Sequence, residues 1–215
     1  MEIVIESLQV NIKFKQIFPF VESQLMRVLE DSGFELLKST ASIRGGGLLA
    51  QFSTSSIARD NGCFVNYVPE TGVLGVSGED FGQVAEKFSK LASLVETGLK
   101  FPLADTAKLY EIILSARVRS QMPLEKINRF VGESRLRKFN EIFGESLFAS
   151  LRIIPKDGDV SDARWYDVRI EPLFANLANY IVRFVYRSDK LEEVRKVSGS
   201  LKHYVENIIS AVESE

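Results

Sequence analysis

One cysteine, Cys63, in 215 residues excludes any disulfide within the chain, and with it every zinc site that takes two thiolates from one chain. One histidine, His203, leaves few of the pairings on which acid–base and nucleophilic catalysis usually rest. No run of about 18 apolar residues occurs, so no spanning helix and no membrane partner are expected. The opening residues, Met1 to Glu6, lack the basic stretch and apolar run of an export signal, which makes a reducing, cytoplasmic compartment the expectation. A net charge of -2 gives no global pull toward polyanions and leaves only a local basic patch to supply one.

The glycine run 45–47 lacks what a phosphate loop needs. Such a loop leads into a helix and carries a lysine, whereas here Leu48, Leu49, Ala50, Gln51 and Phe52 follow and read as strand. The run is read as a hairpin turn. His203 lies on a helical pattern beside Leu201, Tyr204 and Val205, with Glu206 placed to pair with it on the surface. Cys63 follows a turn glycine without an activating neighbour and reads as a small core or edge residue. No catalytic residue, metal ligand or cofactor is assigned.

What is present is a globular composition, 45% hydrophobic and 26% charged, enough to bury a substantial core. Residues 2–14 alternate with period two, with Leu8, Val10, Ile12 and Phe14 on one face, as in a strand with one side buried. A helical pattern follows, with Val21, Leu25, Val28 and Leu29 between Pro19 and a C-terminal Gly33. Strand patterns then span 34–43, 48–54, 63–68 and 73–76, divided by turns at 45–47, 61–62 and 70–72. An amphipathic helix closes this stretch, with Asp80 as its cap and Phe81, Val84, Ala85, Phe88, Leu91, Ala92 and Val95 as its stripe.

Beyond residues 98–105 the same order returns. Tyr110 to Leu114 echo Met1 to Ile5, helical patterns cover 123–131 and 134–143, and strand patterns cover 147–154, 165–171 and 180–186. A last helix opens at Asp189, with Glu192 in capping-box spacing. Glu2 and Glu111 are 109 residues apart, as are Asp80 and Asp189; at an offset of 110, Phe81, Val84, Leu91 and Val95 match Leu191, Val194, Leu201 and Val205. The expected organisation is therefore an α+β fold of two pseudo-repeated strand-helix-multistrand-helix halves, 1–97 and 109–215, joined by a connection at 98–108. A mostly antiparallel, curved sheet would carry the helices on one face. This element order resembles the duplicated fold of the TATA-binding protein family. The resemblance implies a fold and not DNA binding, because no paired phenylalanines match a base-step wedge and fold alone does not fix function. Two separate α+β domains, or a ferredoxin-like pair hinged at the connection, are the alternatives.

Arginine is unevenly spread: three of the fourteen fall in residues 1–108 and eleven beyond. Alternation places Arg117 and Arg119 on one side of their strand, opposite Ile112, Leu114, Ala116 and Val118, and makes Arg183 and Arg187 co-facial. Arg152 and Arg169 fall in neighbouring strands. On a sheet face that helices leave bare, these six would form a surface of forked, permanently charged donors suited to carboxylate or phosphate. Cross-strand pairing with Glu111, Asp167 or Glu171 and a homodimer seam are the competing readings. The expected function is a non-enzymatic binding or assembly module using an open sheet face or edge, its partner unknown, with a protein and a second copy as the candidates. Binding of nucleic acid or another anion through the arginines is the first alternative, and an enzyme whose residues meet only in space is the second.

Overall fold

A computed structural model describes residues 2–17, 19–37, 56–159, 162–176 and 178–214, with only the backbone described at Glu133. The turn expected at 45–47 and the strand expected at 48–54 lie outside the described residues, as does most of the one expected at 34–43.

The first strand, β1 (Ile3–Phe14), buries Leu8, Val10, Ile12 and Phe14, as the alternation requires. Its phase is not continuous, however. The register slips between Ile5 and Ser7, so Ile3 and Ile5 reach the same core from the other parity. One inserted residue at Glu6 thus keeps apolar side chains inward along the whole strand. Helix α1 (Glu22–Asp31) buries Leu25 and Leu29. It stops where Gly33 takes φ +85°; the Gly33 N–H donates to the Glu30 carbonyl at 2.9 Å and the Phe34 N–H to the Leu29 carbonyl at 3.0 Å. This pair of bonds caps the last turn and needs a residue without a Cβ.

Four strands follow: β2 (Glu35–Leu36), β3 (Ser56–Asp60), β4 (Cys63–Val68) and β5 (Val73–Gly78). Among them, β3 has no counterpart in the sequence reading. Helix α2 (Phe81–Ser93) begins with the Asp80 carboxylate accepting the Gln83 N–H at 2.8 Å and lays Val84, Phe88, Leu91 and Ala92 on the sheet. A π-helical turn at Leu94–Gly98 and a short helix α3 (Leu103–Thr106) lead onward. Between them Phe101 packs edge-on against Phe14 and Phe20, at 5.7 Å from each, which pins the connection to the end of the sheet.

Strand β6 (Ala107–Arg119) runs antiparallel beside β1 from Ile3↔Val118 to Phe14↔Ala107. Then come α4 (Pro123–Val131), a 3-10 turn (Glu133–Leu136), α5 (Arg137–Phe143), β7 (Leu151–Ile153), β8 (Trp165–Pro172) and β9 (Asn179–Ser188). The closing segment is two helices, α6 (Leu191–Gly199) and α7 (Leu201–Glu213), parted at Ser200. The capping box expected at Asp189 does not form. The Asp189 carboxylate is held by Arg164 Nε at 2.9 Å, and Glu192 pairs with Arg195. Ser188 instead accepts the Lys190 N–H at 3.1 Å and donates to Glu193 at 2.6 Å. A guanidinium within reach outcompetes a neutral N–H for the Asp189 carboxylate.

The nine strands among the described residues form one sheet in the order β2-β3-β4-β5-β1-β6-β9-β8-β7, antiparallel at every pairing. Outward from the central β1–β6 pair, each flank is filled from its edge inward. Helices α2, α6 and α7 cover one face: Val84, Phe88, Leu91, Val194, Leu201 and Val205 join Val10, Ile12, Val76, Ile112, Leu114, Val182 and Phe184 in one core. Each such buried side chain contributes about 1.5–3 kcal/mol relative to exposure, which makes this layer the main stabilising term.

Candidate functional site: the open face of the sheet

Side chains that alternate away from the core point to the other face, on which no described helix packs. Register places them in rows across the strands. One row runs Phe64, Ser77, Gln9, Ile113, Val185, Asp167, and the next runs Asn66, Gly75, Asn11, Glu111, Arg187, Trp165. A third runs Ser7, Ser115, Arg183, Arg169, Arg152. Beyond it lie Val4, Arg117, Ile181 and Glu171.

All six arginines singled out from the sequence lie on this face, and most are already held. Arg117 Nε meets Glu6 at 2.9 Å, and Arg119 lies 3.6 Å from Glu2. Arg152 grips Asp167 through Nε and an Nη, at 2.9–3.2 Å, and Arg169 reaches the same carboxylate only at 3.9 Å. Arg187 pairs with Glu111 and lies over the Trp165 ring, 5.2 Å from its centre. Arg183 differs. It is exposed, stands opposite Arg169 and Ser115, and makes no hydrogen bond or ion pair among the described residues. Cross-strand pairing therefore uses Glu111 and Asp167, as the sequence suggested. Glu171 takes no ion pair among the described residues, and Glu2 and Glu6, which the sequence reading did not weigh, supply two more partners.

The first-half part of the face has another chemistry. Ser56 Oγ donates to Asn66 Oδ1, and Asn66 Nδ2 donates to Ser77 Oγ, each at 2.8 Å. Asn11 lies so close over Gly75 that a Cβ there would fall 2.0 Å from Asn11 Oδ1 and 2.7 Å from the Val10 carbonyl oxygen. Only glycine fits this contact.

Two further places were not legible in the sequence. A cleft of about 810 Å³ at the end of β6 and β9 is lined by Arg119, Ser120, Met122, Lys126 and Glu213, among others. Its polar groups satisfy one another: Ser120 Oγ and Tyr180 OH both donate to Glu213 Oε1, and Lys126 Nζ donates to the Glu213 carbonyl at 2.9 Å. Burial, with the Glu213 bond added to it, raises the Tyr180 phenol far above its ordinary range. The cluster latches the end of α7 to the sheet and brings no imidazole to the serine. His203 lies ten residues, about 15 Å, back along α7 and faces solvent, bonded to Asn207 rather than to Glu206. The second place is α5, which buries none of its side chains and exposes Phe139, Ile142 and Phe143, as does the following Leu147.

Cys63 is buried beneath the first flank, and desolvation raises its thiol above the usual value, with the Lys87 charge working the other way. A thiol so raised is a poor nucleophile at neutral pH. Among the described residues no cluster of histidine, cysteine and carboxylate side chains is arranged to hold a metal ion, and no helix is long and apolar enough to cross a membrane. No known family model, curated protein or solved structure matches the chain.

Proposed function

We propose that the chain is a non-enzymatic binding module that receives a protein partner on the open face of its sheet. One observation carries this reading: the face interleaves charges of both signs with half-buried Ile113, Ile181 and Val185, and carboxylates hold all but one of its six arginines. A polyanion track needs cations in surplus, whereas a mixed polar and apolar surface of this breadth suits a protein. The edges are less suited among the described residues, where β7 pairs over three residues and β2 over two, short for templating an added strand.

In this reading the two flanks are copies of one unit. Matching edge-inward strand order supports it, as does the placement of α2 and α6, which start 110 residues apart at Phe81 and Leu191. The matched pairs Val84 and Val194, Leu91 and Leu201, and Val95 and Val205 are all buried. The overall arrangement is then a two-unit sheet of the kind the TATA-binding protein family has, with a different surface chemistry. Nucleic-acid binding through the arginines, and an enzyme with residues dispersed in sequence, are the competing functions.

Affinity capture from the native cell extract tests the proposal with wild type, an Ile113→Glu/Val185→Glu variant and a Lys202→Glu variant on the helix side. Each variant is first checked by thermal melting for a fold within a few degrees of wild type. The expected result is a discrete protein retained by wild type and Lys202→Glu and lost from the face variant. Retention of nucleic acid that falls steeply with salt, or capture indifferent to the face variant, would remove the reading.

A further inference from the structure

The Arg183 guanidinium is set apart from its five companions. Arg169 stands directly opposite it on β8, Ser115 opposite on β6, and Ile181 and Val185 flank it along its own strand. Side chains at directly opposed positions lie roughly 5 Å apart at Cβ, where like charges are unfavourable. Of the two carboxylates beside Arg169 on β8, Asp167 is already gripped bidentately by Arg152 and stands 3.9 Å from Arg169, and Glu171 makes no ion pair with either arginine among the described residues. The Ser115 hydroxyl is turned to Glu6 Oε2 at 3.0 Å. The row therefore holds two arginines at directly opposed positions, with the fork of Arg183 unfilled among the described residues, Ile181 and Val185 beside it along its strand and Ile113 on the diagonal.

From this arrangement we infer that Arg183, assisted by Arg169, is the anchor for one carboxylate of the protein partner: an aspartate or glutamate in a segment whose neighbouring residues are apolar. The inference rests on the reading of the open face as a protein-binding surface and specifies what that surface recognises. A bound carboxylate relieves the Arg183–Arg169 repulsion and accepts two parallel N–H bonds in a partly dehydrated setting, where charge-assisted bonds gain most. Its flanking apolar side chains cover Ile113, Ile181 and Val185. A nucleic acid fits the same place poorly. Duplex strands carry a phosphate about every 3.4 Å, and those beside the anchored one would fall near Glu6, Asp167 and Glu171 on the same face.

The probe is a blocked Leu-Glu-Leu peptide, with Leu-Gln-Leu and a thymidine oligonucleotide as controls, titrated into the full-length isotope-labelled protein and followed by NMR of backbone and arginine Nε–H signals. The expected result is saturable shifts at Arg183 and along residues 181–185 and 113–115 with the glutamate peptide. Binding should weaken at least tenfold with the glutamine peptide and with Arg183→Gln, and severalfold with Arg183→Lys, which keeps the charge and loses the fork. Shifts on the open face that are indifferent to the peptide's carboxylate and to Arg183→Gln would overturn the anchor while leaving the face as a binding surface. No shift on the face at millimolar peptide would overturn both. Tighter, salt-steep binding of the oligonucleotide through the same signals would replace the peptide with a phosphate chain as the ligand class.

Discussion

The two flanks of the open face share a backbone plan and differ in what their outward side chains do. On the β3-β4-β5 side, small amides and hydroxyls bond to one another, a glycine accepts a side chain over its backbone, and only the outer Arg59 reaches across to a carboxylate, Glu35 on β2, among the described residues. On the β6-β9-β8-β7 side, long guanidinium groups reach across strands to carboxylates, and one is left over. In the first arrangement the described polar groups satisfy one another, and Phe64 is the large apolar side chain left exposed among the described residues of these strands. The second keeps its charges near the surface on flexible stems, where a partner's group can replace or complete a pair. A surface can thus belong to one continuous sheet and still differ in side-chain chemistry from one flank to the other.

The comparison can be broken most forcibly at Gly75. Gly75→Ala puts a methyl group into Asn11 Oδ1 and the Val10 carbonyl, so strands β1 and β5 must part, at a cost of about 2–3 kcal/mol. Urea unfolding should show this loss; a midpoint equal to wild type would mean that Asn11 does not lie over Gly75 in the way described. A smaller effect is expected on the second flank. Arg187→Gln leaves Glu111 without its cation and removes the stacking on Trp165, which should cost about 1 kcal/mol in the same measurement. Smallest of all is Arg183→Gln. With no partner to lose among the described residues and an arginine at the opposed position, its stability should stay within about 0.5 kcal/mol of wild type or rise slightly. A destabilisation as large as that of Arg187→Gln would show that Arg183 has a structural role, and the distinction between held and free arginines would collapse.

Much of this architecture was legible because period-two alternation and helix stripes are strong along this chain. Val10 and Ile12, Ile112 and Leu114, Val84 and Phe88 all lie where their spacing puts them. Parity alone made Arg117 and Arg119 co-facial, and likewise Arg183 and Arg187; that all six share one face follows from the register between strands. What parity cannot supply is the partner: Arg117 takes Glu6 because β1 is its neighbour, and sequence does not announce which strand lies alongside. Strand β3 escaped notice because its five residues include Ser56, Arg59 and Asp60, leaving only Ile57 and Ala58 as an apolar signal. The Glu213 latch unites residues 33 to 93 positions apart. The bulge at Glu6 breaks the pattern that betrays strands, and it was hidden because isoleucines occur on both sides of the slip. The capping box at Asp189 looked right locally and lost to Arg164, a competitor 25 residues away.

The β1–β6 seam is the longest pairing among the described strands, and it joins residues 3–14 to residues 107–119, on either side of α2 and α3. A fragment containing one half would therefore carry this long strand as a bare outer rim, its backbone amides unmatched and its row of valines and isoleucines wet on one side. Because the two strands run in opposite directions, the simplest remedy for such a fragment is to meet a second copy of itself about a twofold axis. In the full chain this rim is met by the other strand of the seam, and the two sides of the resulting surface carry different side chains.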